Sequence, residues 1–191
     1  MLRNTISFPE VLDFFDQQHP IRTDNTNEHA RGLLIQADKK FGAEWALVSL
    51  DSEDVLNIML PHHISEGGKV GLIPRTGMTV FAAAKKIQDM SIDAYRSANP
   101  VCWGKIDYWN GRQLTPVFLS VTPVEHDDYA GFIDYHGHLI HIDGLHRLIA
   151  WSLSQSERGE RAPAEEGENL LAYVAGPYAD YLSSRPTSQH R

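Results

Sequence analysis

The sequence predicts an α/β protein of the α+β kind, and three observations carry that reading. Apolar residues recur at helical spacing in some segments and as short continuous runs in others. The chain has 191 residues, 42% of them hydrophobic and 22% charged, enough to bury a core the size of one domain. A short apolar run also leads through Asp143-Gly144 directly into a second helical pattern, the signature of a strand joined to a helix by a tight turn.

The elements follow in order. Phe8, Val11, Leu12, Phe14 and Phe15 sit at helical spacing around Pro9, which suits a first helical turn. Asn27 caps a second helix, with Ala30, Leu33, Leu34 and Ala37 inward and Gly42 near its end. Trp45 to Leu50 reads as a buried strand, while Asp54 to Leu60 fits strand or helix. Ser65 to Gly77, with Gly67 and Gly68, reads as loop, and Thr79 to Met90 as a helix with Val80, Ala83, Ala84 and Ile87 on one face. Ser91 to Arg112 gives no clear element apart from packed Trp103 and Trp109 and an Asn110-Gly111 turn.

Further along, Pro116 to Val121 is a strand. Tyr129 to Tyr135 and Leu139 to Ile142 form a candidate hairpin about His136-Gly137. Gly144 to Ser154 is a helix with Leu145, Leu148, Ile149 and Leu153 on its apolar face. Glu157 to Glu168 is a polar, mobile stretch, Asn169 to Val174 is a closing strand, and Pro186 to Arg191 is a frayed tail.

Charge and composition narrow the function. A net charge of −8 disfavours non-specific nucleic-acid binding. No apolar run reaches the roughly 18 residues of a membrane span. Cys102 is the single cysteine, so neither an internal disulfide nor a cysteine zinc site is expected. With no signal-peptide core near Met1, the expected location is the cytoplasm.

The chemistry concentrates at His141-Ile142-Asp143-Gly144-Leu145-His146-Arg147. The first amides of a helix lack intrahelical acceptors, and with the helix dipole they attract anions. Arg147 in that first turn would clamp a phosphate or carboxylate. Asp143 would cap the helix or hold magnesium, and His146 would donate to a phosphate or shuttle a proton. The same residues also read as a plain cap, a tight turn and an ion pair. Glu125 and Asp128 fit a catalytic base and equally an acidic solvated loop. His136, His138 and His141 lie near one another, but strand alternation sends His138 and His141 to opposite faces, so a solvated histidine-rich hairpin is expected over a shared metal. His62-His63 reads as surface, and no serine sits in a nucleophile-elbow context.

On these residues the chain resembles the ParB/sulfiredoxin-like superfamily, which includes ParB N-terminal domains, sulfiredoxins and ADP-dependent free serine kinases. The likeness covers about residues 114–183: a strand from Thr115 to Val121, a strand holding Tyr129 and Gly131, the Asp143-Gly144-Leu145-His146-Arg147 junction, its helix, and the strand at Leu170 to Val174. The resemblance implies a small mixed sheet with helices as a domain over 66–183, a helix-rich extension over 1–65 and a flexible tail over 184–191. It implies that Gly144, Leu145, His146 and Arg147 hold nucleotide phosphates, with Arg75 of Ile73-Pro74-Arg75 and Lys86 adding charge. Leu145 stands where sulfiredoxins carry their cysteine nucleophile, so that activity is disfavoured. The helix-turn-helix that follows the motif in ParB is not seen, and a ParB-like nuclease would need a basic groove. The nearest pattern is that of the serine kinases, Asp-Gly-x-His-Arg.

The expected function is therefore a phosphotransferase using ATP or ADP, or else CTP, with magnesium, acting on a small hydroxyl- or amino-acid-like substrate. The alternative is a non-catalytic nucleotide- or ligand-sensing module whose N-terminal helices bind a partner or form a homodimer.

Overall fold

The computed structural model describes residues 4–19, 27–42, 44–62, 71–159 and 169–184. The expectations for Gly67, Gly68, His63 and the tail beyond Ser184 lie outside these residues, as does most of the polar stretch before the last strand.

Seven strands form one mixed sheet: β1 (Asn4–Ile6), β2 (Trp45–Leu50), β3 (Met59–Leu60), β4 (Met78–Thr79), β5 (Val117–Ser120), β6 (Ile140–Asp143) and β7 (Leu170–Ala175), in the order β1-β2-β7-β5-β6-β3-β4. The β5/β7 and β6/β3 pairs are parallel and the remaining neighbours antiparallel. Alternate residues of each strand enter opposite cores, as the period-2 geometry of a strand requires. On β7, Leu170, Ala172 and Val174 join one cluster and Tyr173 and Ala175 the other; on β5, Val117 and Leu119 oppose Phe118.

Helices cover both faces. On one side lie α1 (Phe8–Gln18) and α2 (Asn27–Phe41), which place Val11, Phe15, Leu33, Leu34 and Ala37 against Phe118, Ile140 and Tyr173. On the other lie α3 (Ser52–Leu56), α4 (Val80–Asp89), α5 (Ile92–Ala98), α6 (Pro100–Trp109), α7 (Leu145–Gly159) and α8 (Tyr178–Ser184). The helix starts carry local signals: Ser7 bonds Glu10, Thr79 accepts from the Ala82 amide, and Asp51 accepts from the Asp54 amide. Among the described residues no helix is long and apolar enough to cross a membrane.

Several expectations change. Within the stretch 1–65, expected as a helix-rich extension, β1, β2 and β3 belong to the same sheet as the later strands. Tyr129 to Tyr135 is not a strand. A 3-10 turn at Asp127–Tyr129 continues into tight turns, with the Ala130 amide donating to Asp127 O and the Phe132 amide to Tyr129 O. Tyr129, Phe132 and Tyr135, spaced by three, all pack on the α1/α2 side of the sheet, which a regular strand could not achieve. The expected hairpin is absent accordingly, and β6 pairs with β5 and β3 instead. The unassigned region Ser91 to Arg112 holds α5 and α6, and Asp54 to Leu60 divides between α3 and β3. The stretch after Ser154 continues α7 as far as Gly159.

Candidate functional site

The β6–α7 junction is dictated by its glycine. Gly144 has φ of 109°, and a Cβ there would lie 2.6 Å from Val117 Cγ1 on the adjacent strand. Only glycine combines that backbone with so close an approach. The sharp turn delivers the N-terminus of α7, a helix of 15 residues, to one end of the central strands.

A cavity of about 380 Å³ opens at this point, within the ~300–1,000 Å³ typical of small-molecule sites. One wall is His141, Ile142, Asp143, Gly144, Leu145, His146 and Arg147. The opposite wall comes from the other helical layer and the 3-10 turn: Gln18, His19, Asn27, His29, Ala30, Leu33 and Asp128. Pro61, His62, Lys105 and Trp109 complete it. A sequence-contiguous motif is thus joined by residues from α1, α2 and α6 that lie far from it in the chain.

Arg147 differs from its expected role. It is only 4% exposed. Its Nη1 donates to Thr115 Oγ1 at 2.6 Å and to Pro116 O at 2.9 Å, and its Nη2 donates to Asp143 Oδ2 at 2.5 Å. The guanidinium also lies 5.8 Å from the centre of the Trp109 ring. Burial pushes its pKa down and Asp143 opposes the shift, and guanidinium remains charged throughout the ordinary pH range. Arg147 therefore braces the cavity floor and is not an outward-facing phosphate clamp.

The same pairing bears on the magnesium expected at Asp143. Its Oδ2 already meets the Arg147 guanidinium and has His19 Nε2 at 3.5 Å. A hard cation on that oxygen would adjoin a fixed positive charge, which disfavours magnesium at Oδ2.

The other expected residues divide. Asp128 lines the cavity, whereas Glu125 is exposed and outside it. Lys86 Nζ donates to Gly71 O and Leu72 O at 3.3 and 2.7 Å, tying down the preceding loop instead of reaching the cavity. Arg75 is exposed and is also not among the lining residues, its backbone packed against Gly131. Gly137 does form the expected turn, with φ of 78°, but His138 bonds Asn57 O and His136 is exposed, while His141 alone of the three enters the cavity. His62, read as surface, lines the cavity and bonds Ile73 O.

Tyr129 fixes the position of Asp128. Its hydroxyl donates to His141 O at 2.9 Å, pinning the 3-10 turn to β6. Burial, with the nearby charges of Asp128 and Asp143, pushes the phenol pKa well above its ordinary value, so Tyr129 acts as a neutral donor. Asp128 Oδ2 in turn lies 2.9 Å from His29 Nε2 and 3.4 Å from His126 Nδ1. Nothing in the local sequence marks His19, His29, Lys105 or Trp109 as neighbours of Asp143, because only closure of the sheet and its two helical layers brings them together.

The cavity at a glycine-turned helix start, lined by imidazoles, two carboxylates, a lysine and Arg147, is the candidate site of this mixed α/β fold. The chain belongs to DUF6309, a family of unknown function, whose family model matches residues 1–191. No curated protein and no solved structure matches the chain.

Proposed function

We propose that this protein is a nucleotide-dependent phosphotransferase acting on a small hydroxyl- or amino-acid-like substrate at the cavity before α7. The observation that carries the reading is the convergence, on one cavity, of the α7 N-terminus with Lys105, His146 and Asp128. Phosphoryl transfer asks a protein mainly for positioning and charge neutralisation. The first turn of α7 offers amide hydrogens and the positive end of the helix dipole to phosphate oxygens. Lys105 and His146 add donors, which matters in a chain whose net charge is −8.

Asp143 and Arg147 act beneath the reacting groups. Their ion pair, with the bonds to Thr115 and Pro116, holds the turn in place and so fixes the direction of the helix axis. Asp128 is the carboxylate placed to take the proton of an acceptor hydroxyl, with His29 at hydrogen-bond distance to stabilise its charge. Magnesium, when bound, would arrive coordinated by the nucleotide phosphates, since Asp143 is already paired. The likeness of Asp143-Gly144-Leu145-His146-Arg147 to the free-serine-kinase pattern supports the same reading.

A ligand-sensing module is the second reading, favoured by the burial of Arg147, which leaves the cavity without that cation's forked donors. Calorimetric titration with ATP, ADP and CTP in the presence of magnesium, on the wild type and on His146→Ala, tests the shared premise. Saturable binding weakened in the variant supports a nucleotide at α7, and no binding to any of the three overturns the phosphotransferase and any nucleotide-sensing role. Phosphorus NMR with hydroxyl and amino-acid acceptors then separates them: a new phosphoester or phosphoramidate is expected of the enzyme, and bound but unreacted nucleotide of the sensor.

A further inference from the structure

We propose that His29, His126 and Asp128 form a three-ligand site for a divalent transition metal of the zinc class, opening into the cavity from the wall opposite α7. One ligand atom from each of these residues lies within 4.8 Å of the other two. Asp128 Oδ2 is the common point, 2.9 Å from His29 Nε2 and 3.4 Å from His126 Nδ1. Two ligands bonded to zinc at ~2.0–2.1 Å in tetrahedral geometry stand roughly 3.3 Å apart. Both measured separations are close to that spacing, and since all three ligand atoms lie within 4.8 Å of one another, closing the set about an ion requires contraction chiefly between the two imidazoles.

The donor set selects the ion. Two imidazoles and a carboxylate suit zinc and its neighbours, whereas magnesium prefers oxygen ligands in octahedral geometry. Three protein ligands leave a coordination position open, the arrangement of reactive zinc sites and not of closed structural ones. His29 and Asp128 both line the cavity.

The framework is held from two sides. His29 lies in the first turn of α2, and Tyr129, directly after Asp128, is anchored to β6 through its hydroxyl. The Asp128 amide donates to His126 Nδ1 at 3.2 Å, a bond that an ion on that nitrogen would displace. An ion here would take the place of the contact between His29 Nε2 and Asp128 Oδ2, which lie 2.9 Å apart. Asp128 would then act as a ligand and not as a base, and the ion would draw down the pKa of a water or acceptor hydroxyl at its open position. The site does not depend on phosphoryl transfer and would stand if that reading failed.

The test is titration of the full chain with zinc chloride and with cobalt chloride, without nucleotide. One ion per chain is expected, with visible cobalt absorption of the intensity given by four- or five-coordinate sites. His29→Ala and Asp128→Asn should each weaken binding by more than the ~10–100-fold that loss of an outer-shell partner causes. His29 is half exposed, so its removal should leave the circular dichroism spectrum unchanged. His138→Ala, which alters a turn histidine outside the cluster, should bind as the wild type does. Absence of saturable micromolar binding, or equal affinity in His29→Ala and wild type, overturns the assignment.

Discussion

The two walls of the cavity are built on different terms. The wall formed by Asp143, Gly144 and Arg147 is closed on itself: the guanidinium is 4% exposed and donates three hydrogen bonds to protein groups. The opposite wall, with His29 and Asp128, keeps 52% and 32% of these side chains in solvent and holds them in one loose cluster with His126 behind them. The first wall resembles a structural core that happens to carry charge. The second has polar groups that can exchange partners at little cost. The arginine of the motif thus reads as scaffold, and the residues outside the motif as the adaptable part of the site.

Four substitutions or conditions test that contrast, in falling order of expected effect. Arg147→Ala should be the most damaging, because it leaves Asp143 and Thr115 without their partner at a buried position. A loss of about 3–5 kcal/mol in urea unfolding is expected. A loss below about 1 kcal/mol would mean that Arg147 is free to serve ligands after all.

Gly144→Ala comes next. It combines φ of 109° with a Cβ 2.6 Å from Val117 Cγ1, and should cost about 1–3 kcal/mol. An unaltered melting temperature would show that the β6–α7 turn relaxes easily and is not the rigid base of the site.

The third effect is of pH. Burial pushes the Tyr95 phenol from 10 up to about 12, and Tyr129 is raised as well. In the unfolded chain these groups lose their protons near pH ~10, while in the fold they keep them. Stability is therefore fully present below that pH and declines as pH rises through the folded values, by up to ~1.4 kcal/mol per pH unit for each tyrosine. Denaturant midpoints at pH 8 to 11 would show the decline, and Tyr95→Phe should reduce its slope. A slope unchanged in that variant would assign the decline to other groups.

The smallest expected effect is at the second wall. His29→Ala removes a half-exposed pair with Asp128 and should change unfolding free energy by less than ~0.5 kcal/mol. A loss comparable to that of Arg147→Ala would erase the distinction between the walls.

Much of the fold was legible because it is written locally. Trp45–Leu50 is the strand its apolar run predicts, and α2 and α4 begin and end within a residue or so of their caps. The helices α5 and α6 escaped notice because each is short, Gly104 interrupts the second, and their buried residues Tyr95, Cys102 and Ile106 give no sustained period. The segment from Tyr129 to Tyr135 reads as a strand in sequence because aromatic residues spaced by three in tight turns imitate a strand's composition. For the site, Asp143 to Arg147 stood out since the motif is contiguous. Nothing in the sequence ties His29 to Asp128, which lies 99 residues later.

The sequence by itself determined that a strand must turn through Gly144 into a helix here, since apolar periodicity and a glycine's freedom at positive φ are properties of neighbouring residues. Tertiary structure alone decided the partners of the side chains around that turn. Arg147 faces inward because Thr115 and Pro116, more than 30 residues earlier, present oxygens at the edge of β5. His29 and Asp128 face the α7 N-terminus across the cavity because α1 and α2 pack on the sheet face opposite α7. Such contacts are fixed by the closing of a common core, whose geometry no local pattern records.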